Sequence, residues 1–149
     1  MEFVDTSAPP SAARVLQARE RLLATTSAAA VEDLCRRHAV RVLSLFGSAA
    51  APMPAPRDLD VAVGFELGTR GDVVAFGNDL MDFLGLDELD VMDLGRASIV
   101  ARARALGPGA VAVFESEAGA FARAQMVALG MELETAHLRQ FQLRLMAGQ

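Results

Sequence analysis

Two stretches decide the fold: residues 40–48, VRVLSLFGS, and residues 58–63, DLDVAV. The first carries Val, Leu and Phe on both alternating sets of positions from Val40 to Phe46, the pattern of a strand covered on both sides, and Gly47-Ser48 ends it. The second alternates. Leu59, Val61 and Val63 share one face, and Asp58, Asp60 and Ala62 share the other. The apolar face anchors this strand, so two carboxylates are held side by side on its opposite face.

Outward from this pair, the chain reads as alternating helices and strands. Upstream, residues 1–10 end in Pro9-Pro10 and read as a poorly ordered lead. Helical spacing of Val15, Leu16, Arg19, Leu22 and Leu23 then predicts a helix from Ser11 to about Ala24. A second helix follows to about His38, with Val31, Leu34 and Cys35 inward. Between the two decisive strands, Ala49-Ala50-Ala51 can form one helical turn before Pro52, Pro54 and Pro56 impose an extended loop. The second strand is expected over Asp58–Gly64. Downstream, Asp72 caps a helix with Val73, Phe76, Leu80 and Leu84 as its stripe, closed by Gly85. Leu89–Leu94 reads as a strand, Ala97–Leu106 as a short helix before Gly107-Pro108-Gly109, and Ala110–Phe114 as a strand. A long helix over 117–146 closes the chain, with Phe121, Ala124, Ala128, Met131, Leu138 and Leu145 along its stripe. That stripe reads as core or as a partner or self-association surface. The predicted class is α/β (α+β): one domain over 1–149, with N-terminal helices (11–38), a core (40–114) and the C-terminal helix. Two adjacent strands joined by a short loop favour a mixed sheet of about four strands.

The strand at 89–94 supplies a third carboxylate. Asp90 and Asp93 are three apart and face opposite ways in a regular strand, so only one can join the pair. Asp93 shares the apolar face of Leu89 and Val91 near the strand end and reads as a strand-end or turn residue; Asp90 is assigned to the site. Two adjacent carboxylates repel unless one is protonated or a cation lies between them, and an all-oxygen set suits Mg²⁺. Gly47 lets backbone approach a phosphate closely, and Ser48 opens a turn with its hydroxyl and amides. Cation ligands on one strand and a phosphate cradle on its neighbour are two halves of a metal–nucleotide site. In such a site two metal ions bridge a triphosphate and lower the pKa of an attacking hydroxyl, and Asp90 is placed to accept its proton.

Composition narrows the chemistry. All 14 basic residues are arginine, and lysine, tyrosine and tryptophan are absent, which excludes a Schiff-base or P-loop lysine and a tyrosine acid or base. The net charge of −5 argues against direct nucleic-acid binding. Residues 58–93 alone hold eight Asp and two Glu against Arg70, so an acidic middle lies in a mildly basic frame, a distribution that invites a bound cation. One cysteine, Cys35, excludes an internal disulfide and fits a reducing compartment, where it reads as a small core residue. His38 and His137 lack a second His at ligand spacing. No apolar run is long enough for a bilayer and the N-terminus has no signal pattern, so a cytoplasmic location is expected.

Leu43-Ser44-Leu45-Phe46-Gly47-Ser48, followed by Asp58-Leu59-Asp60-Val61-Ala62-Val63, resembles the signature of the minimal nucleotidyltransferases of the polymerase-beta-like superfamily. Leu89-Asp90-Val91-Met92-Asp93-Leu94 resembles that family's third-carboxylate strand, and the likeness spans roughly residues 28–115. It implies a nucleotidyltransferase fold and transfer of a nucleoside monophosphate, AMP from ATP. Two Mg²⁺ ions would be held by Asp58, Asp60 and Asp90, with the nucleotide contacted by Gly47 and Ser48. Many stand-alone members are antitoxins that AMPylate a tyrosine of a HEPN-type toxin, and a chain without tyrosine fits an acceptor on another molecule. The loop departs from the pattern: Ala49, Ala51 and Pro52 occupy the usual basic and glycine positions, and Arg57 stands before the first Asp and can compensate in nucleotide binding. Two other readings remain open. One is a transferase acting on a small hydroxylated molecule such as an aminoglycoside, a class that carries an additional helical domain where about 35 residues follow the last strand here. The other is an inactive relative that binds its partner by contact alone. A homo-oligomer is compatible with all three.

Overall fold

The structure, a computed structural model, describes residues 10–50 and 56–148, so residues 1–9 of the expected N-terminal lead, Ala51 and the loop at Pro52 and Pro54 lie outside the described residues, while Pro10, expected to end that lead, instead opens the first helix. Its helices are α1 (Pro10–Leu23), α2 (Ala28–Arg37), α3 (Val73–Leu84), α4 (Ile99–Ala105) and α5 (Ala120–Met146). The strands are β1 (Val40–Phe46), β2 (Leu59–Phe65), β3 (Leu89–Asp93) and β4 (Val111–Glu115). They form one mixed sheet in the order β3-β2-β1-β4. β1 runs antiparallel to both β2 and β4, and β3 runs parallel to β2, the return being made through α3.

Both faces of the sheet are covered. Leu43, Leu45, Leu59, Val61 and Val63 point into a core closed by Val15 and Leu22 of α1, Leu34 of α2 and Phe76 and Leu80 of α3. Val42, Phe46 and Ala62 point the other way, against Ala105 of α4 and Phe121 and Ala128 of α5. The two-sided apolar character of residues 40–46 is the sequence image of this arrangement. Ser44 is fully buried on the second face, where its hydroxyl donates to the carbonyl of Ala105 at 2.6 Å and seats the end of α4 on the sheet. Ser44→Ala leaves that carbonyl without its donor and is expected to cost about 1–3 kcal/mol, read as a lowered denaturation midpoint at unchanged m-value.

Caps explain several boundaries. Asp72 accepts from the Ala75 amide (3.0 Å) and starts α3, and Gly85 ends it in the left-handed region at φ 63°. Ser98 accepts from the Ala101 amide (3.1 Å), which delays α4 two residues beyond the expected start at Ala97. The Glu115 carboxylate takes the amides of Gly119 and Phe121, so residues 117–119 form a turn and the last helix begins at Ala120.

The C-terminal stripe is only partly core. Phe121 and Ala128 are buried, whereas Met131, Leu138 and Leu145 are 37%, 61% and 59% exposed. Twenty-seven helical residues extend roughly 40 Å, while a seven-residue strand spans roughly 23 Å, so α5 outruns the sheet it packs on. Among the described residues no helix is long and apolar enough to cross a membrane.

Candidate active site

The carboxylate face forms where β1 ends and β2 and β3 begin. Asp60 stands directly beside Asp90 in the parallel β2–β3 register and opposite Phe46 in the antiparallel β1–β2 register. Asp58 precedes β2 by one residue, half-buried and on the Asp60 side, and Asp90 is exposed. Asp93 ends β3 beside Val63, with its carboxylate accepting the Gly95 amide at 2.9 Å, the geometry of a turn residue.

Gly47 follows β1 at φ +75°, a left-handed conformation open to glycine, and a Cβ built on it would overlap the Asp60 carboxylate. The absence of a side chain there is what brings the backbone of the Gly-Ser turn against the acidic face. Gly47–Ala49 is a single 3₁₀ turn, with the Ala50 amide on the Gly47 carbonyl at 3.2 Å, so it offers local amides without the dipole of a longer helix. Ser48 is half-buried and Arg57 exposed.

Burial, together with the negative charges of Asp58 and Asp90, pushes the Asp60 carboxyl above the ordinary carboxylate range, and Arg104 opposes the rise. The folded chain therefore keeps the Asp60 proton to higher pH than the unfolded chain. Without metal, this favours the fold at low pH, and the contribution disappears as pH rises through the raised value. Thermal melts in chelator are expected to show that component in the wild type and not in Asp60→Asn. For the same reason, protons compete with a cation at this carboxylate more effectively than at an ordinary one.

Two arginines enter through tertiary structure. Arg19 of α1 donates its Nε–H to the Ala49 carbonyl at 2.7 Å and ties the Gly-Ser turn to the helical layer. Arg104 of α4 sits with its guanidinium carbon 5.7 Å from the centre of the Phe46 ring, beside the acidic face. Sequence reasoning missed Arg104, because nothing in the spacing of residues 99–105 shows that α4 ends over Phe46; the lack of any lysine was the available signal that an arginine must supply positive charge.

The other reactive side chains are accounted for elsewhere. Burial pushes the Cys35 thiol up to about 12, so it is a core residue and not a nucleophile at neutral pH. His38 closes α2 with Nε2 2.6 Å from Asp79 Oδ2, and His137 is exposed on α5. Among the described residues, no three His, Cys, Asp or Glu side chains converge in metal-holding geometry; Asp58, Asp60 and Asp90 share the face without closing into a cage.

No protein-family model and no curated protein matches the sequence. Solved structures do match the fold. A chain of a toxin–antitoxin complex with AMP-PNP is 18% identical, with a TM-score of 0.63 over 78% of this chain and 95% of that one. A chain from a complex of tri-AMPylated Shewanella oneidensis HEPN toxin with MNT antitoxin is 18% identical, with a TM-score of 0.58 over 78% and 92%. A chain from an MntA-HepT toxin–antitoxin structure is 19% identical, with a TM-score of 0.57 over 78% and 93%. The mixed four-stranded sheet and its flanking helices thus share the fold of these toxin–antitoxin chains.

Proposed function

We propose that this protein is a Mg²⁺-dependent nucleotidyltransferase that moves AMP from ATP onto a hydroxyl of a HEPN-type partner protein and thereby acts as the antitoxin of a toxin–antitoxin pair. The observation that carries this reading is the pairing of Asp60 with Asp90, faced by a glycine whose missing Cβ leaves room for the Asp60 carboxylate. The solved relatives support it in kind: one is a complex with AMP-PNP and another contains an AMPylated toxin.

Asp58, Asp60 and Asp90 fit a hard divalent cation. All are oxygen donors, and burial together with the neighbouring Asp58 and Asp90 charges makes the Asp60 carboxylate costly to ionise without a cation. Asp58 and Asp60 would hold Mg²⁺ with Asp90, and the bound ions would polarise the triphosphate and neutralise the departing pyrophosphate. The chain's own groups do the rest. Gly47 and Ser48 present amides and a hydroxyl to the phosphates, Arg57 and Arg104 supply the cationic side chains, and Asp90 takes the acceptor's proton. The acceptor oxygen bonds to the α-phosphorus, the bond from that phosphorus to the α–β bridging oxygen breaks, and pyrophosphate leaves.

Arg104→Gln is expected to raise KM for ATP about tenfold with a smaller change in kcat, and Arg104→Lys to restore part of the loss, read from initial rates at varied ATP. A contact-only reading draws on Ala49 and Ala50, which put no basic side chain on the turn beside Gly47. Incubation of the protein with each labelled nucleoside triphosphate, Mg²⁺ and either a HEPN-type protein or an aminoglycoside separates the readings. Label on the partner protein, with ATP preferred, supports the proposal; label on the aminoglycoside or on neither acceptor overturns it.

A further inference from the structure

A cavity of ≈ 960 Å³ lies away from the carboxylates, at the opposite end of the same sheet face. It opens where β1 begins and β2 and β3 end, between α5 and the 66–71 and 93–96 loops. Gly64 in its wall is four residues along β2 from Asp60, roughly 13 Å. The volume is at the upper end of the roughly 300–1,000 Å³ of small-molecule sites.

Five of the chain's 14 arginines line it: Arg41, Arg70, Arg96, Arg102 and Arg123, against two carboxylates, Glu66 and Asp93. Arg123 bridges Glu117 at 2.9 Å, and Arg96 lies 3.9 Å from Asp93. Arg41, Arg70 and Arg102 have no carboxylate partner among the described residues. The Arg102 Nε–H donates to the Ala97 carbonyl at 3.1 Å, which orients the guanidinium and leaves its Nη pair for another acceptor. Arg41 and Arg102 are half-buried. Guanidiniums gathered with too few counter-charges repel one another, as the carboxylates do at the other end, and with five arginines against two carboxylates the deficit here is of negative charge.

The floor is apolar, with the buried Val42, Leu106 and Ala128 among its residues. A rim of forked donors over an apolar floor matches a ligand with an anionic group and a hydrophobic body. Arginine, planar and weakly hydrated, favours bidentate oxyanions over lone halides.

We propose that this cavity is a second ligand site, taking a nucleotide-sized organic phosphate without a metal ion. It is separate from the carboxylate face: Arg102 and Arg104, two residues apart on α4, serve different ends of the sheet.

The test is binding of mant-labelled ADP to the full chain in excess EDTA, followed by fluorescence. The expected result is saturable one-to-one binding, weakened by salt and displaced by ADP but not by adenosine. Asp58→Asn/Asp60→Asn should leave it unchanged, and Arg41→Gln/Arg102→Gln should weaken it roughly tenfold or more. The exposed pair Arg70→Gln/Arg96→Gln, chosen because its surface positions keep the fold safe, should weaken it as well. The proposal is overturned by absence of saturable binding in EDTA, by equal displacement with adenosine, or by loss in Asp58→Asn/Asp60→Asn with neither arginine pair mattering. Failure of the arginine variants to hold a partner protein while mant-ADP binds to none of the chains also overturns it and assigns the cavity to protein contact. None of these results bears on transfer at Asp60, which is read separately.

Discussion

Asp58→Asn/Asp60→Asn is expected to lower nucleotide transfer by about 10²–10³-fold or more while leaving the fold intact, as judged by an unchanged circular dichroism spectrum. The size follows from what is removed. Asn keeps the shape and one oxygen of each side chain but removes both charges, so a cation bridging to the triphosphate loses its anchor on β2. Melting in chelator should move the other way, because the raised Asp60 carboxyl shows that its charge is unfavourable in the metal-free fold. A variant that is more stable yet inactive separates a functional cluster from a structural one. If both readouts fell together, the carboxylates would be holding the fold.

Gly47→Ala is expected to have the second largest effect, through two additive causes. The +75° φ makes any L side chain cost about 1–2 kcal/mol, and the new methyl occupies the space of the Asp60 carboxylate. Displacing that carboxylate by about 1 Å is enough for roughly 100-fold in rate, so transfer should fall that far while the melting temperature drops by a few degrees. Ser48→Ala, with no steric change, serves as the contrast: it should alter KM for ATP more than it alters stability.

Much of this face was legible because strands impose a period of two. Three-residue spacing alone separates Asp90 from Asp93, and the register sets Asp90 beside Asp60 and Asp93 at the strand end beside Val63, where its carboxylate accepts the Gly95 amide of the following turn. Gly47 was legible as a glycine ending an apolar strand, although its clash with Asp60 depends on an antiparallel register that short-range patterns do not encode. Arg104 was not legible: its place beside Phe46 depends on how α4 seats on the sheet, which the buried Ser44–Ala105 hydrogen bond helps determine. The far half of α5 misleads for a related reason. Its apolar residues continue past Ala128, but no element of the described chain reaches far enough to cover Leu138 and Leu145. Apolar periodicity marks a surface for burial without saying what buries it.

The most direct measurement of the central claim compares ATP labelled at the α-phosphorus with ATP labelled at the γ-phosphorus, each incubated with the protein, Mg²⁺ and its HEPN-type partner. Transfer of AMP predicts stable α-label on a partner hydroxyl, γ-label only in released pyrophosphate, and neither product with the Asp58→Asn/Asp60→Asn variant. A partner that is bound tightly and silenced while carrying neither label, or one that carries the γ-label, would contradict it.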